Sequence, residues 1–142
     1  MSESIAIRRF NKFLLWLNAA VWLFFGLGYA IAPDFFASLV GAAVTKAGSY
    51  RIMADIGVMM LGIGIWYVYC ALDDSRTCHG LVSAFLICAG MLIGRLLGMA
   101  ASGSANSITI LYVVLETLDS ALLFLALRMK QGLVPAEATR AP

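Results

Sequence analysis

Charge is scarce in this sequence. Aspartate, glutamate, lysine and arginine make up 13% of its 142 residues, against about 25% in soluble domains. The net charge of +2 is small and no basic tract is dense, which excludes a nucleic-acid binder. Histidine is rarer still. The single His79 lacks the companions that a haem or metal site needs, so no metal and no cofactor is expected. Cys70, Cys78 and Cys88 are odd in number and without ligand spacing, which leaves no disulfide framework and no zinc site; they read as small packing residues. Phosphate-loop, nucleotide and nucleophile-triad motifs are all missing.

What remains is apolar. Hydrophobic residues reach 62%, above the roughly 45–50% of soluble domains. A chain this short cannot hide so much apolar surface from water, but lipid removes the need. The reading is an integral membrane protein of a single domain.

Four apolar runs each have the length of a span, about 20 residues: 13–32, 51–72, 79–101 and 108–128. A basic arm, residues 1–12, precedes them. The small-residue pattern Ala30-Ile31-Ala32 resembles a signal cleavage site, but the first run has span length, so an uncleaved first helix is expected. Pro33 ends that helix. Phe35, Phe36, Leu39 and Val40 then recur at the spacing of a short interfacial helix. Asp73 to Cys78 and the segment around Gly103 are turns, and the tail, 131–142, is expected to be flexible. The fold class is therefore all-α: an antiparallel four-helix bundle in a membrane.

Four spans put both ends on one side. Arg8, Arg9, Lys12, Arg76, Arg128, Lys130 and Arg140 share that side, with Lys46 and the boundary residue Arg51 on the other. The positive-inside rule makes it cytoplasmic, which implies a bacterial inner-membrane protein with both termini inside. Trp16, Trp66, Tyr67 and Tyr69 fall where an aromatic belt would sit. Trp22 falls near mid-membrane, with no explanation from sequence.

The run from Gly90 to Ser102 organises the functional reading, because it carries Arg95. A charge at membrane depth costs about 2.5–3.5 kcal/mol or more and demands a partner. At 1.5 Å per residue, Asp55 lies roughly 6 Å from the outer boundary, Arg95 about 9 Å, Glu116 about 12 Å and Asp119 about 16 Å. With Arg51 at the boundary, five charges from three helices fall in the outer half. Two positive charges against three negative leave a deficit of one, which a proton, a cation or a cationic ligand would fill. A protonated acid beside an arginine–carboxylate pair is what acid–base catalysis uses; an ion-pair network that only sets helix register uses the same residues. Tyr112, Glu116 and Asp119 form one stripe, and Asn18 is an interhelical hydrogen-bond candidate. Gly90, Gly94 and Gly98 repeat every fourth residue. Such a seam serves either a contact inside the bundle that holds Arg95 near an acid, or contact with a second copy or a larger membrane complex.

Pro33 after the first helix, Arg51 opening a glycine-rich second helix, Gly94-Arg95 in the third and Glu116 in the fourth resemble small bacterial membrane proteins of domain of unknown function 4345, over most of the chain. The resemblance implies a four-span bundle, similar in layout to DoxX-like proteins and sterol-isomerase-like bundles, and carries no established activity. Asp55 departs from the pattern, in which small residues usually follow the arginine.

Two functions are expected to compete. In one, the outer-half cluster binds a lipophilic small molecule and performs isomerisation or epoxide-type chemistry. Glu116 or Asp119 would then give or take the proton, Arg95 and Arg51 would orient the acids or bind an anion, and Asp55, Tyr112 and Asn18 would help line the pocket. In the other, the chain is a non-catalytic accessory or assembly subunit whose charges only fix the bundle.

Overall fold

The computed structural model describes residues 4–39, 45–103 and 106–131. The proposed flexible tail from residue 132 and the stretch 40–44 lie outside the described residues. Every regular element among the described residues is helical: α1 (Ile5–Ile31), α2 (Pro33–Leu39), α3 (Lys46–Arg51), a π-helical segment (Ile52–Gly57), α4 (Val58–Leu72), α5 (Thr77–Ser102) and α6 (Ser107–Gln131). Four helices are long and apolar enough to cross a membrane, within Ile5–Ile31, Asp55–Leu72, Thr77–Ser102 and Ser107–Lys130. This is a multi-pass, all-α membrane bundle.

Local chemistry sets the helix ends. The hydroxyl of Ser4 accepts the amide of Ile7 and caps α1. The helix therefore starts eight residues earlier than the apolar run, through much of the basic arm. That extension places Arg8 and Lys12 one turn apart, and both reach Asp74 in the α4–α5 turn, at 3.0 and 2.8 Å. Pro33 stops α1 and opens α2, a position that needs no amide hydrogen. Phe36 then folds back onto α1 among Phe24, Phe25 and Tyr29. Gly103 closes α5 with φ of 64°, where a side chain would be strained. Asn106 Oδ1 accepts the amide of Thr109 at 2.7 Å and caps α6.

The helices associate as two pairs, α1 with α4 and α5 with α6, and the pairs meet less extensively. Lipid supplies no hydrophobic drive between spans, so close packing and polar contacts must hold them. Between 22% and 28% of each span's most apolar window is buried; the exposed leucines, valines and phenylalanines face hydrocarbon. The core lies at the end that holds the α4–α5 turn: Leu14, Leu15, Tyr67, Leu81, Leu123 and Ala126 are all at most 1% exposed. Trp22 packs partly buried against this core, which accounts for its depth. Gly80 admits Leu15 and Cys70; a Cβ there would lie 2.6 Å from the Cys70 side chain.

At the opposite end α5 and α6 bury little. No residue of α5 beyond Cys88, and none of α6 before Glu116, is buried. The α1–α4 pair stays closed there through glycines. A Cβ on Gly26 would lie 2.7 Å from the Leu61 backbone nitrogen, one on Gly57 2.8 Å from that of Ala30, and one on Gly64 2.7 Å from Leu23. The bundle is thus tightly packed at one end and loosely packed at the other.

Candidate functional site

Where the packed core ends, Arg95 reaches across from α5 to α6. Its Nε donates to Glu116 Oε1 at 2.7 Å, with the Glu116 residue 8% exposed. The guanidinium lies 4.6 Å from the centre of the Tyr112 ring, one turn before Glu116. Tyr29 of α1 is within electrostatic reach of both Arg95 and Tyr112. One oxygen of Glu116 is thereby satisfied. The other, Oε2, is buried with no hydrogen-bond partner among the described residues. Buried polar atoms are nearly always paired, so such an atom calls for an explanation.

Asp119, the central residue of α6, sits one turn deeper. Asn18 Nδ2 donates to its Oδ1 at 3.2 Å and also to the carbonyl of Leu14 at 3.1 Å. Cys88 lies between the two acids: its thiol donates to the Glu116 carbonyl at 3.5 Å, and Asp119 and Ser120 border it. Tyr67 enters from α4, fully buried, with its hydroxyl lacking a partner among the described residues and with Asp119 and Cys88 nearby. All four spans therefore contribute to one polar interior.

Arg51 and Asp55 do not join it. Both are exposed and line a separate open groove of about 290 Å³ with Gly48 and Ile56. Neither takes part in an ion pair among the described residues. Gly57 is buried against α1, whereas Asp55 is exposed and projects outward. The cluster of five charges expected from depth thus reduces to one cation, Arg95, and two acids, Glu116 and Asp119.

The glycine seam is also displaced. A Cβ on Gly90, Gly94 or Gly98 meets nothing within 4 Å, so these residues hold no contact inside the bundle. Arg95 is kept near its acid by α5–α6 packing instead. The close helix approach belongs to Gly26, Gly57 and Gly64 of the other pair. Tyr67 is likewise no belt residue. It is 0% exposed, whereas Trp66 and Tyr69 are 41% and 46% exposed and stack on each other at the surface. Its signal in sequence was its place between Gly64 and Ala71, one turn away on either side, with all three on one face.

Among the described residues, no group of three or more histidine, cysteine or acidic side chains could hold a metal ion. The Arg95–Glu116 pair can instead present a donor and an acceptor side by side.

The model for a known family, Domain of unknown function (DUF4345), matches residues 10–127. The chain belongs to this family. The match runs from the first helix to the last turn of buried residues in α6, and so spans the whole core and the polar interior. No match was found among curated proteins or among solved structures.

Proposed function

We propose that this DUF4345 protein binds a lipophilic small molecule at the loosely packed end of the bundle, with Arg95 and Glu116 as its polar contacts. The observation that carries this reading is Glu116 Oε2, buried and unpartnered beside a guanidinium. A fixed donor next to a fixed acceptor complements a neutral ligand head with an acceptor and a donor on adjacent atoms, such as a hydroxy-carbonyl or an enol. Tyr112 and Tyr29 supply aromatic walls, and hydrocarbon gives an apolar ligand direct access. Glu116 is placed to take and return a proton, which suits isomerisation or epoxide-type opening. Arg51 and Asp55 belong to a separate groove and have no part in this site.

Native mass spectrometry of gently extracted protein tests this reading. A small molecule should co-purify with the wild type and be lost from Glu116→Gln and Arg95→Leu variants that still fold. Retention of the same molecule by both variants would refute it.

A second reading has its own support. Gly90, Gly94 and Gly98 face out of the bundle, and small residues at that spacing suit a helix from another chain. On this reading the protein is an accessory subunit. Gly94→Leu would then abolish assembly and leave ligand retention intact. The basic residues at the end that holds the α4–α5 turn favour a cytoplasmic placement of that end in an inner membrane.

A further inference from the structure

An open groove lies where the second span begins, away from the Arg95–Glu116 pair. Gly48, Arg51, Asp55 and Ile56 line it, and it holds about 290 Å³. Arg51 is the last residue of α3, and Asp55 follows one turn later in the π-helical segment. Opposite charges four residues apart on a helix are near enough to pair. These two do not: both are exposed, and neither makes an ion pair or side-chain hydrogen bond among the described residues. The turn that carries Asp55 is also widened. The Val58 amide donates to the Met53 carbonyl, five residues back, and such turns inside a helix are frequent at functional sites.

Both charges stand at the edge of the membrane. The apolar span begins at Asp55, so the Arg51 backbone lies about 6 Å further out, at 1.5 Å per residue. Side chains lean toward the N-terminus of their helix, which here is the surface end, so the Asp55 carboxylate rises toward the level of Arg51. Tyr50 is 61% exposed beside them, and tyrosine favours the level of the lipid headgroups. A charge at the edge of hydrocarbon calls for a partner of opposite sign. Since each leaves the other open, one molecule can serve both if it brings an anion to Arg51 and a cation to Asp55.

Size and surroundings narrow the choice. A groove of about 290 Å³ is at the lower limit of small-ligand pockets, roughly 300 Å³, and suits a headgroup rather than a whole lipid. Beside it Ile56, Val58 and Met59 are 40%, 58% and 55% exposed and continue into the span, where acyl chains can lie. An anionic headgroup alone would leave Asp55 unanswered. Among zwitterionic headgroups, a primary ammonium donates hydrogen bonds to a carboxylate, as a lysine does; a quaternary ammonium has no hydrogen to donate.

We propose that this groove binds a phospholipid with an ethanolamine headgroup. The Arg51 guanidinium donates to the phosphate oxygens, and the Asp55 carboxylate accepts from the ammonium. The site is separate from Arg95 and Glu116, so its test leaves the reading of that pair untouched.

Native mass spectrometry of the protein released from nanodiscs tests this, with ethanolamine, choline and glycerol phospholipids present in equal amounts and with identical acyl chains. Expected is one retained ethanolamine lipid per chain, favoured about tenfold over the other two, as one charge-assisted hydrogen bond allows. Asp55→Asn should abolish that preference while lipid is still retained. Arg51→Gln should lower retention of the ethanolamine lipid about tenfold. The wild-type preference needs no substitution, so the test stands even if a variant does not assemble. Equal retention of the three lipids by the wild type, or a preference that survives Asp55→Asn, overturns the proposal. So does displacement of the lipid by an equal concentration of glycerophosphoethanolamine, the same headgroup without acyl chains, which would assign the groove to a water-soluble solute.

Discussion

Arg95 and Glu116, 21 residues apart in sequence, share a hydrogen bond of 2.7 Å inside the membrane part of the bundle. The pair ties α5 to α6 beyond the last buried residue of α5. It therefore holds these two helices together past the end of the packed core.

Removing one partner of a buried pair leaves an uncompensated charge, at about 3–5 kcal/mol for complete burial. The Arg95 side chain is 30% exposed, so Arg95→Leu and Glu116→Leu are each expected near the low end, about 3 kcal/mol. The double variant should recover most of that loss. Reversible unfolding in bicelles measures all three; a double variant as unstable as the two losses added together would show that the residues act independently.

Glycine positions divide into two classes. Gly26→Ala places a Cβ 2.7 Å from the Leu61 backbone, which cannot rotate away as a side chain can, so α1 and α4 must separate at a cost of about 1–3 kcal/mol. Gly94→Ala meets nothing within 4 Å. It should leave the stability of the bundle unchanged or slightly raised, since alanine is the better helix former by about 1 kcal/mol. Thermal unfolding of the two variants side by side checks the contrast.

Tyr67→Phe tests the polar interior from α4. Its hydroxyl is buried with no partner among the described residues, and a buried unpaired polar group costs about 1–3 kcal/mol, so the variant should be as stable as the wild type or more so. Thermal unfolding checks this; a clear loss of stability would show that the hydroxyl has a partner in the membrane, such as a bound water.

The α4–α5 turn should respond to acid. Asp73 is held below the usual carboxylate range by the Ser75 amide and hydroxyl, and Asp74 by Lys12 and Arg8. A carboxyl that is more acidic when folded stabilises the fold fully above its unfolded value, about 3.9, and loses that contribution as pH falls through the lowered folded value. The Ser75 amide should stay protected from hydrogen exchange in mild acid, relative to Asp73→Asn, and lose the difference at stronger acidity.

The sequence alone determined the class, the number of spans, the breaks at Pro33, Asp73 and Gly103, and the need of Arg95 for an acid. These are local properties: run length, backbone chemistry and the cost of charge in lipid. Only tertiary structure decided which acid it takes, that Arg51 and Asp55 stand apart, that Tyr67 turns inward between surface-facing Trp66 and Val68's neighbour Tyr69, and that Gly57 and Gly64 rather than Gly90, Gly94 and Gly98 meet another helix. The reason is the solvent. In water an amphipathic stripe marks the inner face of a helix, but in hydrocarbon both faces are apolar, and the rotation of each span is set by packing that involves the other three.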